Sequence, residues 1–270
     1  MDAQRDLAQF EQEWASWWYI ARRNLLRELA EQALRSKHEA RILDMGGAAN
    51  LELDHPSSLH VVNQHGTLAA SAAHRWRGDR NLVCSSLDEL AFASNGFDLV
   101  LAGDLLQSVQ DDRAALREIR RVLKDGGLLC LTVPAYSFLW SEEDERRGHC
   151  RRYRASELRG KLTACGFEVQ RASYFVTAPF VPLALARMAK SIVHTSSSRD
   201  GVPTRSARVA RTAMTALLDL ERQVLHHINL PFGTVVVCWA RKPALVAEKI
   251  TVPAWDRQWV SSPRLTWSGS

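Results

Sequence analysis

The stretch FDLVLAGDLL, Phe97 to Leu106, constrains the fold of this chain more than any other. Apolar side chains stand at nearly every position, so both faces need burial, as they do in a central strand of a parallel sheet. Further strands are predicted at RILDMGG (41–47), LHVVNQ (Leu59 to Gln64), NLVCSS (Asn81 to Ser86), GLLCLTVP (127–134) and FEVQRASYF (167–175). Helical stretches lie between and beside them. Leu116, Ile119, Val122 and Leu123 recur at the helical period within Asp111–Leu123, and the KDGG that follows reads as the stop. SELRGKLTACG reads as another helix, with a Ser N-cap and a closing Gly. Trp14, Trp18, Ala21, Leu25 and Leu29 predict an amphipathic helix over Phe10–Leu34. Strands alternating with helices imply an α/β fold, a parallel sheet with right-handed crossovers.

From Phe180 to Leu230 the pattern changes to arginine-rich helices, interrupted by the linker-like HTSSSRDGVPT, and GTVVVCWARK (Gly233 to Lys242) then supplies a late strand. A strand arriving after such an insertion suggests one elaborated core. The expected division is therefore an N-terminal helical segment (1–36), a core (37–242) with a helical cap inserted at 180–230, and a loosely ordered tail (243–270). The net charge of +5 is a mild basic excess, concentrated in runs such as 146–154 and 199–211. It allows an anionic ligand or a membrane surface, although a solvated helical face is the simpler reading of any one run, and no nucleic acid is expected. Five scattered cysteines read as free thiols in a reducing cytoplasm. Without CxxC or HExxH, and with His226 and His227 adjacent and so pointing apart, no metal is expected. The polar N-terminus is unlike a signal peptide, and Tyr174–Ala186 is too short and proline-broken to span a bilayer, so the expected location is the cytoplasm.

The ordered set RILDMGG, FDLVLAGDLLQSV, LREIRRVLKDGGLLCLTVPAY and ELRGKLTACGFEV resembles the class I S-adenosylmethionine-dependent methyltransferases. The likeness is strongest to a bacterial branch with an N-terminal Trp-Trp helix, here SWWYIARRNLL, and a GHxRRY segment, here GHCRRY (Gly148 to Tyr153). The resemblance implies a Rossmann-like, doubly wound sheet of seven strands with the last antiparallel, and an N-terminal helix that lies over the cofactor mouth as a lid. It implies S-adenosylmethionine as cofactor, held by Asp44, Gly46 and Gly47 after the first strand, Asn63 after the second, Ser86 and Leu87 after the third, and Asp104 after the fourth.

Several of these positions depart from the family pattern. Ala48 and Asn50 stand where the second and third glycines belong, and Asn63 (or Gln64 or His65 in a slipped register) stands where a carboxylate usually takes both ribose hydroxyls. Ser86 stands in an ordinarily acidic place, with Asp88 and Glu89 nearby. The stretch AANLELDHPSS leaves only a short first crossover helix. On the acceptor side, the resemblance places Tyr136, Trp140 and Tyr153 as pocket walls, His149 as a base or orienting group, and Arg151 and Arg152 as grips for an anionic acceptor; the alternative for Arg152 is a pair with Glu142, Glu143 or Asp144.

Two functions follow. The first is a methyltransferase acting on a small, anionic or lipid-like acceptor. The second is a non-catalytic member that has lost its cofactor and serves as a scaffolding subunit, alone in a homo-oligomer or beside an active partner. Tyr174–Lys190 suits a greasy acceptor channel, the preferred reading, or a resting place on a membrane surface.

Overall fold

In the computed structural model, residues 17–35, 37, 39–45, 57–63, 80–181, 184–185, 204–225 and 227–244 are described. Helix α1 (Trp17–Leu34) leads into β1 (Ala40–Met45), β2 (Ser57–Asn63), β3 (Arg80–Cys84) and β4 (Phe97–Gly103). A 3-10 turn (Leu106–Ser108) follows, then α2 (Asp112–Val122), β5 (Leu123–Pro134), a second 3-10 turn (Ser137–Leu139), α3 (Glu142–Arg146), α4 (Ala155–Ala164), β6 (Glu168–Phe175), α5 (Thr204–Leu225) and β7 (Val235–Arg241). The seven strands form one sheet in the order β3-β2-β1-β4-β5-β7-β6. The β1–β2, β2–β3, β1–β4 and β4–β5 pairs are parallel, and β7 lies between β5 and β6, antiparallel to both. This is the expected doubly wound sheet with its late antiparallel strand.

Strand periodicity divides the core into two layers. Leu43, Met45, Val100 and Ala102 face Leu116 and Ile119 of α2 and Leu158 and Leu162 of α4. Ile42, Leu99 and Leu101 face Leu25, Leu26 and Leu29 of α1 and Leu218 and Leu225 of α5. All seven residues of β4 are buried, as its continuous apolar run requires. The apolar stripe of α1 is thus built into the core, more firmly than a lid over the cofactor mouth would be.

Two expected boundaries move. Val122 passes straight into β5, and the KDGG read as a helix stop lies inside that strand, opposite a register shift between Phe97 and Leu99. Tertiary bonds hold it there: the Gly126 amide donates to Lys242 O, the Lys242 amide to Gly127 O, and Lys242 Nζ to Leu123 O. The N-cap of α4 is Arg154, two residues before the Ser read from the sequence, while Gly166, at φ +82°, is the expected stop. The crossover from β3 to β4 has no helix; its turns are stitched to α2 by Arg121, which donates to Leu90 O and Phe92 O, and by Glu118, which accepts from the Leu90 amide. All five cysteines are free. Residues 10–16, most of the linker and the tail beyond 244 lie outside the described residues.

Candidate functional site

Strand order reverses between β1 and β4, so the carboxyl ends of these two neighbours border the crevice where open α/β sheets take ligands. Asp44, 1% exposed, stands near the end of β1. Asp104 follows the last residue of β4, accepts the Thr132 hydroxyl at 2.9 Å and pairs with Arg22 of α1. Arg22 is a site residue that pattern reading passed over. Its signal was a cation on the buried side of α1, one helical turn before Leu26.

Backbone strain collects at this same edge. Asp104 (φ 49°), Tyr136 (φ 55°) and Val176 (φ 63°) sit just beyond the ends of β4, β5 and β6. Left-handed conformations are costly for residues with a Cβ, most of all a β-branched one, and such strain gathers where function needs it.

Above β5 the GHCRRY segment is organised around Asp144, 2% exposed. Its Oδ2 accepts from the Ser141 amide and hydroxyl, both at 2.9 Å, closing a capping box on α3. Arg152 reaches it through Nε (3.0 Å) and Nη2 (2.8 Å), and His149 Nδ1 stands 2.9 Å from Oδ1. Burial alone would raise the Asp144 pKa, but Arg152, His149 and Ser141 outweigh it and hold the carboxyl down at about 2. In the His149 tautomer that donates Nδ1–H to that carboxylate, the other ring nitrogen, Nε2, presents the lone pair.

Two acceptor-side expectations are corrected. Tyr153 is fully buried: its hydroxyl donates to Asp112 at 2.9 Å, and Lys161 caps the same carboxylate at 2.5 Å, so it is core and lines no pocket. Arg152 commits its Nε edge to Asp144 and Nη1 to Ala135 O, taking the structural alternative over a bidentate acceptor grip. Arg151 is likewise engaged, with Gln110 O at 2.6 Å and Asp112 at 3.2 Å. These bonds, with the Cys150 amide donating to Gln107 O at 2.6 Å, tie GHCRRY to the turn after Asp104 and so join the two halves of the site.

Ser137, Trp140, Cys150, Arg151 and Arg152 line an open cleft of about 410 Å³. Beside it Tyr136 stacks on Tyr174 with ring centres 5.0 Å apart, and burial together with the Tyr174 hydroxyl raises its phenol pKa. On the third-strand side Leu87 is buried, while Ser86 is exposed and hydrogen-bonds Asp88. Gly46, Gly47, Ala48, Asn50 and the short first crossover lie outside the described residues, as does the side chain of Asn63.

Residues 43–131 match the model of the methyltransferase domain family, a span running from β1 into β5. A chloroplastic 2-methyl-6-phytyl-1,4-hydroquinone methyltransferase of Oryza sativa subsp. japonica is 25% identical over 115 residues, 38% of this chain and 33% of that protein, so the chain spans about a third of that relative's length. Among solved structures, the [4+2]-cyclase SpnF is similar with a TM-score of 0.52 at 23% identity, over 81% of this chain and 80% of that one. The putative methyltransferase complexed with the Trm112 activator of Haloferax volcanii is similar with a TM-score of 0.55 at 17% identity, over 89% and 94% of the two chains. A putative sarcosine dimethylglycine methyltransferase from Galdieria sulphuraria gives 0.51 at 18% identity, over 81% and 84%. At these identities the structures establish a shared fold, the Rossmann-like fold of methyltransferases, and the family match shows that the segment 43–131 resembles a methyltransferase domain.

Proposed function

We propose that this protein transfers a methyl group from S-adenosylmethionine to a small acceptor with an apolar body and a dissociable proton. The observation that carries the reading is the coincidence, on one sheet edge, of the β1/β4 switch point with its two carboxylates and the Asp144-held His149. The donor set suits the cofactor: Asp44 and Asp104 offer acceptors for its ammonium and hydroxyl groups, Arg22 a donor for its carboxylate, and Leu87 apolar cover for its adenine. When bound, the cofactor supplies an electrophilic methyl group. The chain's own residues then align the acceptor and exclude water, since an in-line displacement gains most from positioning.

In this reading His149 Nε2 takes the acceptor's proton as the acceptor atom becomes nucleophilic, and Asp144 stabilises the imidazolium through Nδ1. Tyr136 and Trp140 wall the acceptor, with Arg151 at the mouth of the cleft. The similarity to a relative named for a phytyl-bearing hydroquinone supports an acceptor with an acidic hydroxyl. The test is turnover of hydroquinones and phenols by wild type and His149→Ala. A loss of about 10²-fold or more in kcat with cofactor affinity retained supports the base; equal kcat in the two proteins removes His149 from the reaction.

A further inference from the structure

The large apolar side chains that remain exposed are not scattered. Among the described residues they are Phe138, Val181, Leu185, Leu217, Leu220, Ile228 and Phe232. Phe138 sits in the turn after β5, Val181 and Leu185 follow β6, and Phe232 enters β7, whose antiparallel start pairs with the ends of β5 and β6. Rings connect them: Tyr136 and Phe138 are 5.3 Å apart, Phe138 and Phe180 6.3 Å, Phe180 and Phe232 5.3 Å. Leu217 and Leu220 lie on α5 just before Glu221, which accepts the Thr177 amide and hydroxyl at 3.0 Å and fastens the helix to this edge. The result is an aromatic and aliphatic rim on one side of the molecule, half exposed at Phe138 and Val181 (50% and 51%). Soluble surfaces rarely present such a patch without an occupant.

Charge identifies the occupant. Residues 181–211, which begin within this rim and end in α5, hold six basic residues (Arg187, Lys190, Arg199, Arg205, Arg208 and Arg211) against the single acid Asp200, which equals the chain's entire net charge of +5. Arg154, exposed beside Tyr136, adds a cation at the rim itself. An aromatic and aliphatic rim with Arg154 beside it, from which the chain continues into a strongly basic segment, matches the interface of an anionic bilayer, where apolar groups enter the acyl boundary and basic groups meet the headgroups. Among the described residues no helix is long and apolar enough to cross a membrane, so the contact is one of surface docking.

We infer that the rim formed by Phe138, Phe180, Val181 and Phe232 docks on an anionic phospholipid surface, which places the mouth of the proposed acceptor cleft against the bilayer. The orientation rests on the proposed function; the docking itself does not.

The test is co-sedimentation of the full chain with vesicles of phosphatidylcholine alone and of phosphatidylcholine mixed with phosphatidylglycerol. Binding to the mixed vesicles that falls as salt rises is expected. Phe138→Ser combined with Phe232→Ser is expected to weaken it by about 10-fold or more, whereas Phe138→Trp retains it. Cooperative thermal unfolding by circular dichroism certifies that each variant is folded. Equal binding to both vesicle types, no binding to either, or an unchanged double variant overturns the inference. So does a lipid-free wild-type dimer that the double variant dissolves, because the rim is then a protein interface. Cofactor titration without vesicles reports separately on methyl transfer, so either reading can fail alone.

Discussion

At the scale of single residues, Asp144 is the point on which the acceptor side turns. It is buried and holds Arg152 and His149, so Asp144→Asn leaves a guanidinium without its counter-charge. The variant is expected to lose about 3 kcal/mol of stability in urea unfolding. Asp98 is comparable at the opposite end of the sheet. Burial opposes its ionisation, but the Arg41 amide, Lys124 and Lys37 prevail and hold it at about 2. Both carboxyls are depressed below the unfolded value of about 3.9. Their contribution is therefore present above that value and lost as pH falls through about 2. Glu221 has the opposite sign: burial raises its pKa, so its contribution is full below the unfolded value and declines as pH rises through the folded one. Stability should drop between about pH 4 and pH 2, and Asp98→Asn should flatten that drop in denaturant titrations across the range; an unchanged slope would mean that the depressed pKa is not there. The SEED that opens α3 shows Asp144 as a cap in the sequence and offers it as one of three acids for Arg152, but nothing local singles it out from Glu142 and Glu143 or discloses its contact with His149, and the burial of Tyr153 depends on Asp112, forty-one residues earlier.

At the scale of elements, those with strong periodicity were legible and those bounded by tertiary bonds were not. β4, α2 and β7 lie where their apolar patterns put them, and Asp111 caps α2 by accepting from the Arg113 and Ala114 amides at 3.0 and 2.9 Å. Asp111→Ala should cost about 1 kcal/mol, read as a lower urea midpoint. The misplaced KDGG stop shows the limit, because glycine after lysine carries a local helix-ending signal that pairing with Lys242 overrides. Gly233 is a second such case. A Cβ there would lie 2.4 Å from Phe175 O, so the approach of β7 to the end of β6 depends on its absence. Gly233→Ala should cost about 1–3 kcal/mol in thermal or chemical unfolding, as other overpacked contacts do.

At the scale of the whole molecule, α1 and α5 clasp one face of the sheet, joined to each other by Glu28 and Arg222, while Arg22 brings α1 to the mouth of the candidate cofactor crevice. Because Leu25, Leu26, Leu29 and Leu34 are all buried, a chain starting at residue 37 should lose cooperative unfolding, whereas a detachable lid would leave the melt intact. The sheet and its switch point were legible from strand alternation, since parallel pairing leaves few other arrangements of such elements. The pairing of Arg22 with Asp104 was not, because it joins residues eighty-two positions apart. The central claim, that this edge binds S-adenosylmethionine for methyl transfer, is tested most directly by calorimetric titration of the purified chain with S-adenosylmethionine and its demethylated product. Micromolar binding is predicted, weakened about 10-fold or more in Asp44→Asn by loss of a charged hydrogen-bond acceptor. A folded protein that takes up neither compound at millimolar concentration would contradict the account.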